Sequence, residues 1–423
     1  MKIELIEINS FRRELSVIVP FKDLEEDYDS EVQHWISQHT PRGGRKGKIS
    51  SKTQMDLFKK EKQGSIDLSF GEKAMNKFYQ KALEQKKMQP INKAEITKLQ
   101  FDAGTDLEFI AVFEVLPSFK LPNYIKKYKI KTTKYIASDN DVSMSLNELQ
   151  NNYSTSEEIK GKAEEGFELV VDYQELNDQG SLVPGRNIEN QKLKLGNGYG
   201  YELKDFLGCT IGDEVKTIID VNGNKVNFNF VIKKILKNIL PELNDDFAKK
   251  IDPEVKNMVD LKKKIQDNIQ KSLDEQHQKE INNAVIDYFV NKTKLEAPLS
   301  MVDNYMEYII QDLKQKNNNL DENKTKDEYE DMANNNVKWY LIKSKLIKSN
   351  KVAVSNKDID KKIEEFIKLN KSQEKQIKEF YGKDENLNNL HEQLLNDKLF
   401  GLINEFAINK ISEKSTSELK KEK

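Results

Sequence analysis

Residues 94–117, AEITKLQFDAGTDLEFIAVFEVLP, decide how the first quarter of the chain is read. Leu107, Phe109, Ala111 and Phe113 recur at every second position, the spacing that puts side chains on one face of a strand. Gly104 separates this run from EITKLQF, so two strands joined across a turn are expected. Working outward towards the N-terminus, RRELSVIVP (12–20) has the same period of two. LEEDYDSEVQHWISQ (24–38) is helical, with Val32, Trp35 and Ile36 on one face, and MDLFKKEKQGSIDLSFGEKAMNKFYQKALEQ (55–85) continues in helical spacing. Residues 1–115 therefore read as an α+β unit, and HTPRGGRKGKISSK (39–52) falls between two of its helices as an exposed, glycine-rich basic tip.

The rest of the chain divides by pattern. Pro117 and Pro122 mark an extended linker, because each biases the preceding residue away from helix. A short helix follows, with Ser138 as N-cap and Asp141 three residues on completing a capping box. Residues 163–236 change character: FELVVDYQEL, QKLKLGNG and VNFNFVIKKIL are strands, the last with Val226, Phe228, Phe230 and Ile232 on one face. Beyond LPELNDDFAKKIDPEV nearly everything is helical. Leu261, Ile265, Ile269 and Leu273 recur at spacing four, and Ile281, Val285, Ile286 and Phe289 carry the stripe on. Ser355 with Asp358 forms a second capping box, and EKSTSELKKEK at the end is expected to be disordered.

Composition limits what such a chain does. It has 423 residues, enough for two to four domains, and 69 Lys+Arg against 71 Asp+Glu give a formal net charge of -2. An anionic partner must then be met by a local patch. Cys209 is the single cysteine, and with four scattered histidines it excludes a disulfide framework and a Cys/His metal site of ordinary spacing. No run of about 18 apolar residues appears and the N-terminus lacks the pattern of a signal peptide, so a cytoplasmic protein without a membrane partner is expected.

No catalytic signature stands up. Gly196, Gly198 and Gly200 form G-x-G-x-G within a β-rich stretch and open no clear helix, unlike a dinucleotide site. The basic tip fails as a phosphate loop, because Ile49 follows Lys48 where Ser or Thr is required and Arg42 replaces the first glycine. No nucleotide, cofactor or metal is expected. Two readings of the tip remain: a solvated surface turn, or an electrostatic finger in which Arg45 offers a planar fork and Arg42, Lys46 and Lys48 add point charges.

The order of these parts resembles the trigger factor family of ribosome-associated chaperones. That family's tip signature, G-F-R-x-G-x-x-P, appears here as Gly43-Gly44-Arg45-Lys46-Gly47-Lys48-Ile49-Ser50, with glycine for the phenylalanine and serine for the proline. EFIAVFEVLPSFKLPNY, LPELNDDFAKKID, LEAPLSMVDNYM and VSNKDIDKKIEEF are similar to further family segments, and the resemblance covers almost the whole chain. It implies an α+β multidomain fold: a ribosome-docking domain (1–115), a linker and short helix packing with the C-terminal domain (116–160), a small FKBP-like prolyl isomerase domain (161–238), an all-α chaperone domain with arms (239–412) and a tail (413–423).

The resemblance also implies partners and site residues. Gly43, Gly44, Arg45, Lys46, Gly47 and Lys48 would dock on protein and RNA at the ribosomal exit tunnel, more weakly for lack of the aromatic. Nascent and unfolded chains are the expected clients, with weak self-association as a further expectation. Client contact is placed on narrow apolar stripes containing Leu261, Ile265, Ile309, Ile310, Leu341, Ile342, Phe400 and Ile403; taken singly each reads first as helix–helix core, and only their collective excess over what a bundle can bury points to clients. The isomerase pocket is expected at Tyr173 and Phe228, with Tyr201 and Leu203 where the family has an apolar segment. Rotation about X-Pro needs no acid or base, only an apolar pocket that helps twist an amide across a barrier of about 18–20 kcal/mol. An active isomerase and a domain that keeps only the fold both stand at this point. So do two rivals: a freestanding prolyl isomerase with tethering arms, and an RNA-binding protein that uses the basic tip.

Overall fold

A computed structural model of the chain describes residues 1–41, 44–177, 179–195, 203–221, 224–316 and 320–419. The first stretch runs β1 (Lys2–Glu7), β2 (Arg12–Val19), α1 (Glu25–Gln38), α2 (Lys52–Lys86), β3 (Glu95–Gln100) and β4 (Leu107–Glu114). Then come β5 (Tyr128–Ile136), α3 (Asp139–Asn152), β6 (Thr155–Ile159), β7 (Glu168–Leu176), β8 (Leu182–Lys194), β9 (Glu214–Val221) and β10 (Asn224–Ile239). The remainder is α4 (Asp245–Ile251), α5 (Met258–Lys292), α6 (Leu299–Lys316), α7 (Glu322–Asn350), α8 (Asn356–Leu369), α9 (Glu374–Tyr381), α10 (Asp384–Asn404), β11 (Ala407–Ser415) and α11 (Thr416–Leu419). The chain forms two units, one of Met1–Lys131 with Ile281–Lys410 and the other of Thr132–Glu280 with Ile411–Lys423.

The first unit opens with a four-stranded antiparallel sheet in the order β1-β2-β4-β3. Leu15 pairs with Ala111, Val17 with Phe109 and Val19 with Leu107, so the period-two residues of both strands share one buried face. Helices α1 and α2 contribute Tyr28, Phe58, Ile66, Phe70 and Phe78 to the same core. Ser51 starts α2, its side chain accepting from Gln54 N at 3.2 Å, and Lys87 in the left-handed region (φ 51°) ends it. Buried Asp67 is satisfied by Tyr28 Oη at 2.6 Å and Gln63 Nε2 at 2.8 Å.

The unit's second core is helical. Phe289 of α5, Ile310 of α6, Leu341 and Leu346 of α7 and Leu399 and Ile403 of α10 close around Tyr124 and Tyr128 from the linker. Tyr128 Oη donates to the Ile403 carbonyl at 3.0 Å. Helices α8 and α9 are amphipathic, and the rings of Phe366 and Tyr381 stack 5.7 Å apart across them. Ser355 caps α8 as the capping box predicts, its N–H donating to Asp358 at 2.7 Å.

The second unit holds a five-stranded sheet. Long β10 pairs with β6 and β7, β9 adds to its N-terminal half, and β8 pairs with β7. Leu169, Val171, Phe206, Phe230, Ile232 and Ile235 form its core. A separate cluster joins Val142 and Leu146 of α3 to Phe247, Ala248 and Leu261. The capping box at Ser138 forms, with Ser138 N donating to Asp141 at 2.9 Å. The disorder expected over 413–423 is not what residues 413–419 adopt. β11 runs to Ser415, and the buried Thr416 hydroxyl is bonded to Asp141 and Ser138, which holds 413–419 in place; residues 420–423 lie outside the described residues.

Candidate functional site

The basic tip is a built loop. Gly47 N donates to the His39 carbonyl at 2.8 Å and closes its base, while Gly44 N reaches the Pro41 carbonyl at 3.0 Å and Lys48 N the Arg45 carbonyl at 3.1 Å. The His39 ring lies 5.0 Å from that of Phe58, Pro41 is buried, and Ile49 packs on the sheet–helix core. Gly47 is required by its backbone: φ is +74°, and a Cβ there would stand 3.2 Å from the Ser37 carbonyl oxygen. The loop thus holds Arg45, Lys46 and Lys48 exposed, and among the described residues none of the three has an acidic partner. Unpaired cations on a tethered turn favour an anionic surface, with a strength that falls as salt screens them.

Gly44 stands where the family signature has phenylalanine, and the geometry adds to that departure. A Cβ at position 44 would lie 2.7 Å from Pro41 Cγ, so the proline ring occupies the space that a side chain would need. A concavity of about 620 Å³, lined by His39, Pro41, Leu57 and Lys60 among others, lies beside the loop. Arg42 and Gly43, named with the tip, lie outside the described residues.

In the β domain, register brings the predicted aromatics together. β10 pairs Phe230 with Tyr173 on one side and with Val215 on the other. Tyr173 meets Phe228 edge-on at 5.5 Å and Phe230 at 5.1 Å, and Phe206 meets Phe230 at 5.3 Å. Tyr173 and Phe228 are half-buried while Phe206 and Phe230 are fully enclosed, so the first two form the accessible edge of an aromatic cluster. Thr217 Oγ1 donates to Asp205 Oδ2 at 2.6 Å, tying the turn that carries Phe206 to β9. Tyr201 and the side chain of Leu203 lie outside the described residues. Phe206 was not legible as a member, because a residue in a short turn has no periodicity to place it. Burial raises the Cys209 thiol above its ordinary value, with Asp213 adding to the effect, which keeps it protonated and unreactive at neutral pH.

The stripes assigned to clients need correction. Ile309, Ile310, Leu341, Ile342 and Ile403 are buried in the helical core of the first unit, and Leu261 is buried against α3 and α4. Phe400 and Ile265 are half-buried at the edges of those cores. Spacing of three and four marks the face a helix buries first, so these residues were consumed by folding. The exposed apolar side chains are different ones, among them Val259 (74%), Tyr308 (67%), Tyr340 (59%), Leu369 (79%) and Phe380 (54%). The stacked pair Phe366–Tyr381 sits on the same two helices as Leu369 and Phe380, which the helical period would have flagged as a second apolar set on α8 and α9. Among the described residues no helix is long and apolar enough to cross a membrane.

Comparison with known proteins places both halves of the chain. A family model described as bacterial trigger factor protein matches residues 1–149, and one described as bacterial trigger factor protein C-terminus matches residues 257–405; together they cover well over half of the chain. Trigger factors of Marinobacter nauticus (25% identical, 86% of each chain covered), Geotalea daltonii (25%, 95% of this chain and 96% of that one) and Pseudomonas putida (22%, 99% and 97%) are similar along nearly their full length. A solved trigger factor chaperone, described for promiscuous substrate recognition in folding and assembly, superposes with a TM-score of 0.57 at 18% identity, covering 95% of this chain and 99% of that one. This chain belongs to the trigger factor family.

Proposed function

We propose that the protein is an ATP-independent, cytoplasmic chaperone that docks through the loop around Arg45 at the ribosomal exit tunnel and shields nascent chains. The observation that carries this reading is the loop itself: closed by the His39–Gly47 hydrogen bond, it presents Arg45, Lys46 and Lys48 without acidic partners among the described residues. Docking is weaker and more salt-sensitive than an aromatic-anchored tip would give, because Pro41 fills the space beside Gly44. Clients are held by the exposed apolar residues of the helical domain, Leu369 and Phe380 on α8 and α9 foremost. The test is co-sedimentation with ribosomes: Arg45→Ala should release most of the protein to the supernatant, and unchanged pelleting overturns the assignment.

The β domain acts as a prolyl isomerase of low rate. Its support is the half-buried edge of Tyr173 and Phe228 over Phe230, an apolar surface that desolvates an X-Pro amide without a titrating group. The spontaneous reaction takes tens of seconds at 25 °C. A prolyl-peptide assay on the full chain should run faster than this and slow with Phe228→Ala, and a rate equal to the spontaneous one removes the enzymatic reading.

A further inference from the structure

A concavity of about 660 Å³ runs along the flank of α2 beside β3. Met75, Tyr79 and Leu83, four residues apart, make the helical wall, and Ala94, Ile96 and Leu99 make the other. Ile96 is 37% exposed although it is apolar. The strand that borders the concavity is the outermost of its sheet, pairing with β4 and, among the described residues, with no other strand. Alternate residues of an edge strand turn their N–H and C=O groups away from the sheet, and the register slip between Ile96 and Lys98 leaves Thr97 out of the ladder as well.

A second observation lies in the helical wall. The Tyr79 phenol oxygen is buried, and among the described residues it has no hydrogen-bond partner, a state that buried polar groups seldom keep. Burial pushes this phenol up to about 12, so it is a proton donor at neutral pH. Charge narrows the occupant. Lys98 is paired with Glu108 at 2.6 Å and Glu95 with Arg12 at 3.6 Å, so the strand offers no free charge to a ligand. Glu72 and Lys93, one from each wall, are of opposite sign and leave the rim neutral.

We propose that this groove is a second polypeptide-binding site, taking an extended, uncharged, apolar stretch of unfolded chain as an added strand on β3. Its main chain pairs with residues 95–100, alternate side chains pack between Leu83 and Ile96, and one of its carbonyls accepts from Tyr79. The choice of an unfolded chain as occupant rests on the chaperone reading; the open edge and the unpartnered phenol do not.

The test uses the full chain and a fluorescein-labelled peptide of about ten residues, alternating isoleucine and threonine with a lysine at each end. Hydrogen exchange of residues 95–100 should slow when the peptide saturates. Ile96→Asp, at an exposed position, should abolish that protection. Tyr79→Phe should loosen the peptide about fivefold, the worth of one hydrogen bond, without lowering thermal stability, since it removes a donor that has no partner in the free protein. Peptide binding with no protection at 95–100 overturns the groove and leaves the chaperone reading standing. Absence of any peptide binding overturns both. Protection that grows with protein concentration in the absence of peptide assigns the edge to a second copy of this chain and overturns the proposed occupant.

Discussion

The Glu114 carboxylate caps helix α6 through Ser300: its Oε2 accepts from Ser300 N at 3.0 Å and from Ser300 Oγ at 2.6 Å. Pro298, just before the helix, has no side-chain oxygen to offer, so the last strand of the N-terminal sheet supplies a cap from 186 residues away. Glu114 is buried, and its own N–H is held by Asn92 Oδ1 at 2.8 Å, which fixes the backbone that carries the carboxylate. Glu114→Ala should then lower the stability of the helical core by about 1–2 kcal/mol, and Glu114→Gln, which keeps an acceptor, by less. Urea unfolding followed by fluorescence of Trp339, which lies in that core, measures both.

Gly47→Ala should open the loop proposed to dock. Alanine at φ +74° costs about 1–2 kcal/mol, and its methyl meets the Ser37 carbonyl at 3.2 Å. The Gly47 amide, now bonded to His39, should exchange faster in the variant, and ribosome binding should weaken although no charge has changed.

Position 44 tests the proposal that the missing aromatic weakens docking. Gly44→Phe alone should not tighten ribosome binding, because its Cβ would lie 2.7 Å from Pro41 Cγ and force the loop to move. Combined with Pro41→Ala it should tighten binding, with a coupling between the two sites that reports their contact. Equal gains from the single and double variants would show that Pro41 does not control the position.

Acid should loosen α1 from α2 through Glu31. Burial pushes this carboxyl up, but hydrogen bonds from Lys73, Trp35 and Ser69 outweigh it and hold the group below its ordinary 4.5. A depressed carboxylate contributes stability above the unfolded value and loses it as pH falls through the folded one. Trp35 Nε1 donates to Glu31 at 3.0 Å, so Trp35 fluorescence should follow the loss below pH 4.5, and Glu31→Gln should flatten that profile.

Local order was legible wherever one residue type answers one physical need. Leu107, Phe109, Ala111 and Phe113 announced a strand by period, Ser138 and Ser355 announced helix starts by their Asp partners, and Val226 to Ile232 announced β10. The loop was legible as charge on glycines. Three contacts were not legible: the turn that sets Pro41 against Gly44, and the tertiary contacts of Glu114 on Ser300 and Phe206 behind Phe230, each join residues with no shared periodicity. The apolar stripes misled for a related reason, since Ile309 and Leu341 have the spacing of a client surface and of a core alike, and burial goes to the core first.

The most direct test of the docking account is ribosome pelleting across a salt series with the unaltered chain and with Arg45, Lys46 and Lys48 all changed to alanine. The account predicts that the unaltered chain pellets at low salt, loses binding steeply as salt rises, and that the triple variant binds little at any salt while keeping its fold. Binding by the variant that matches the unaltered chain at every salt concentration would contradict it.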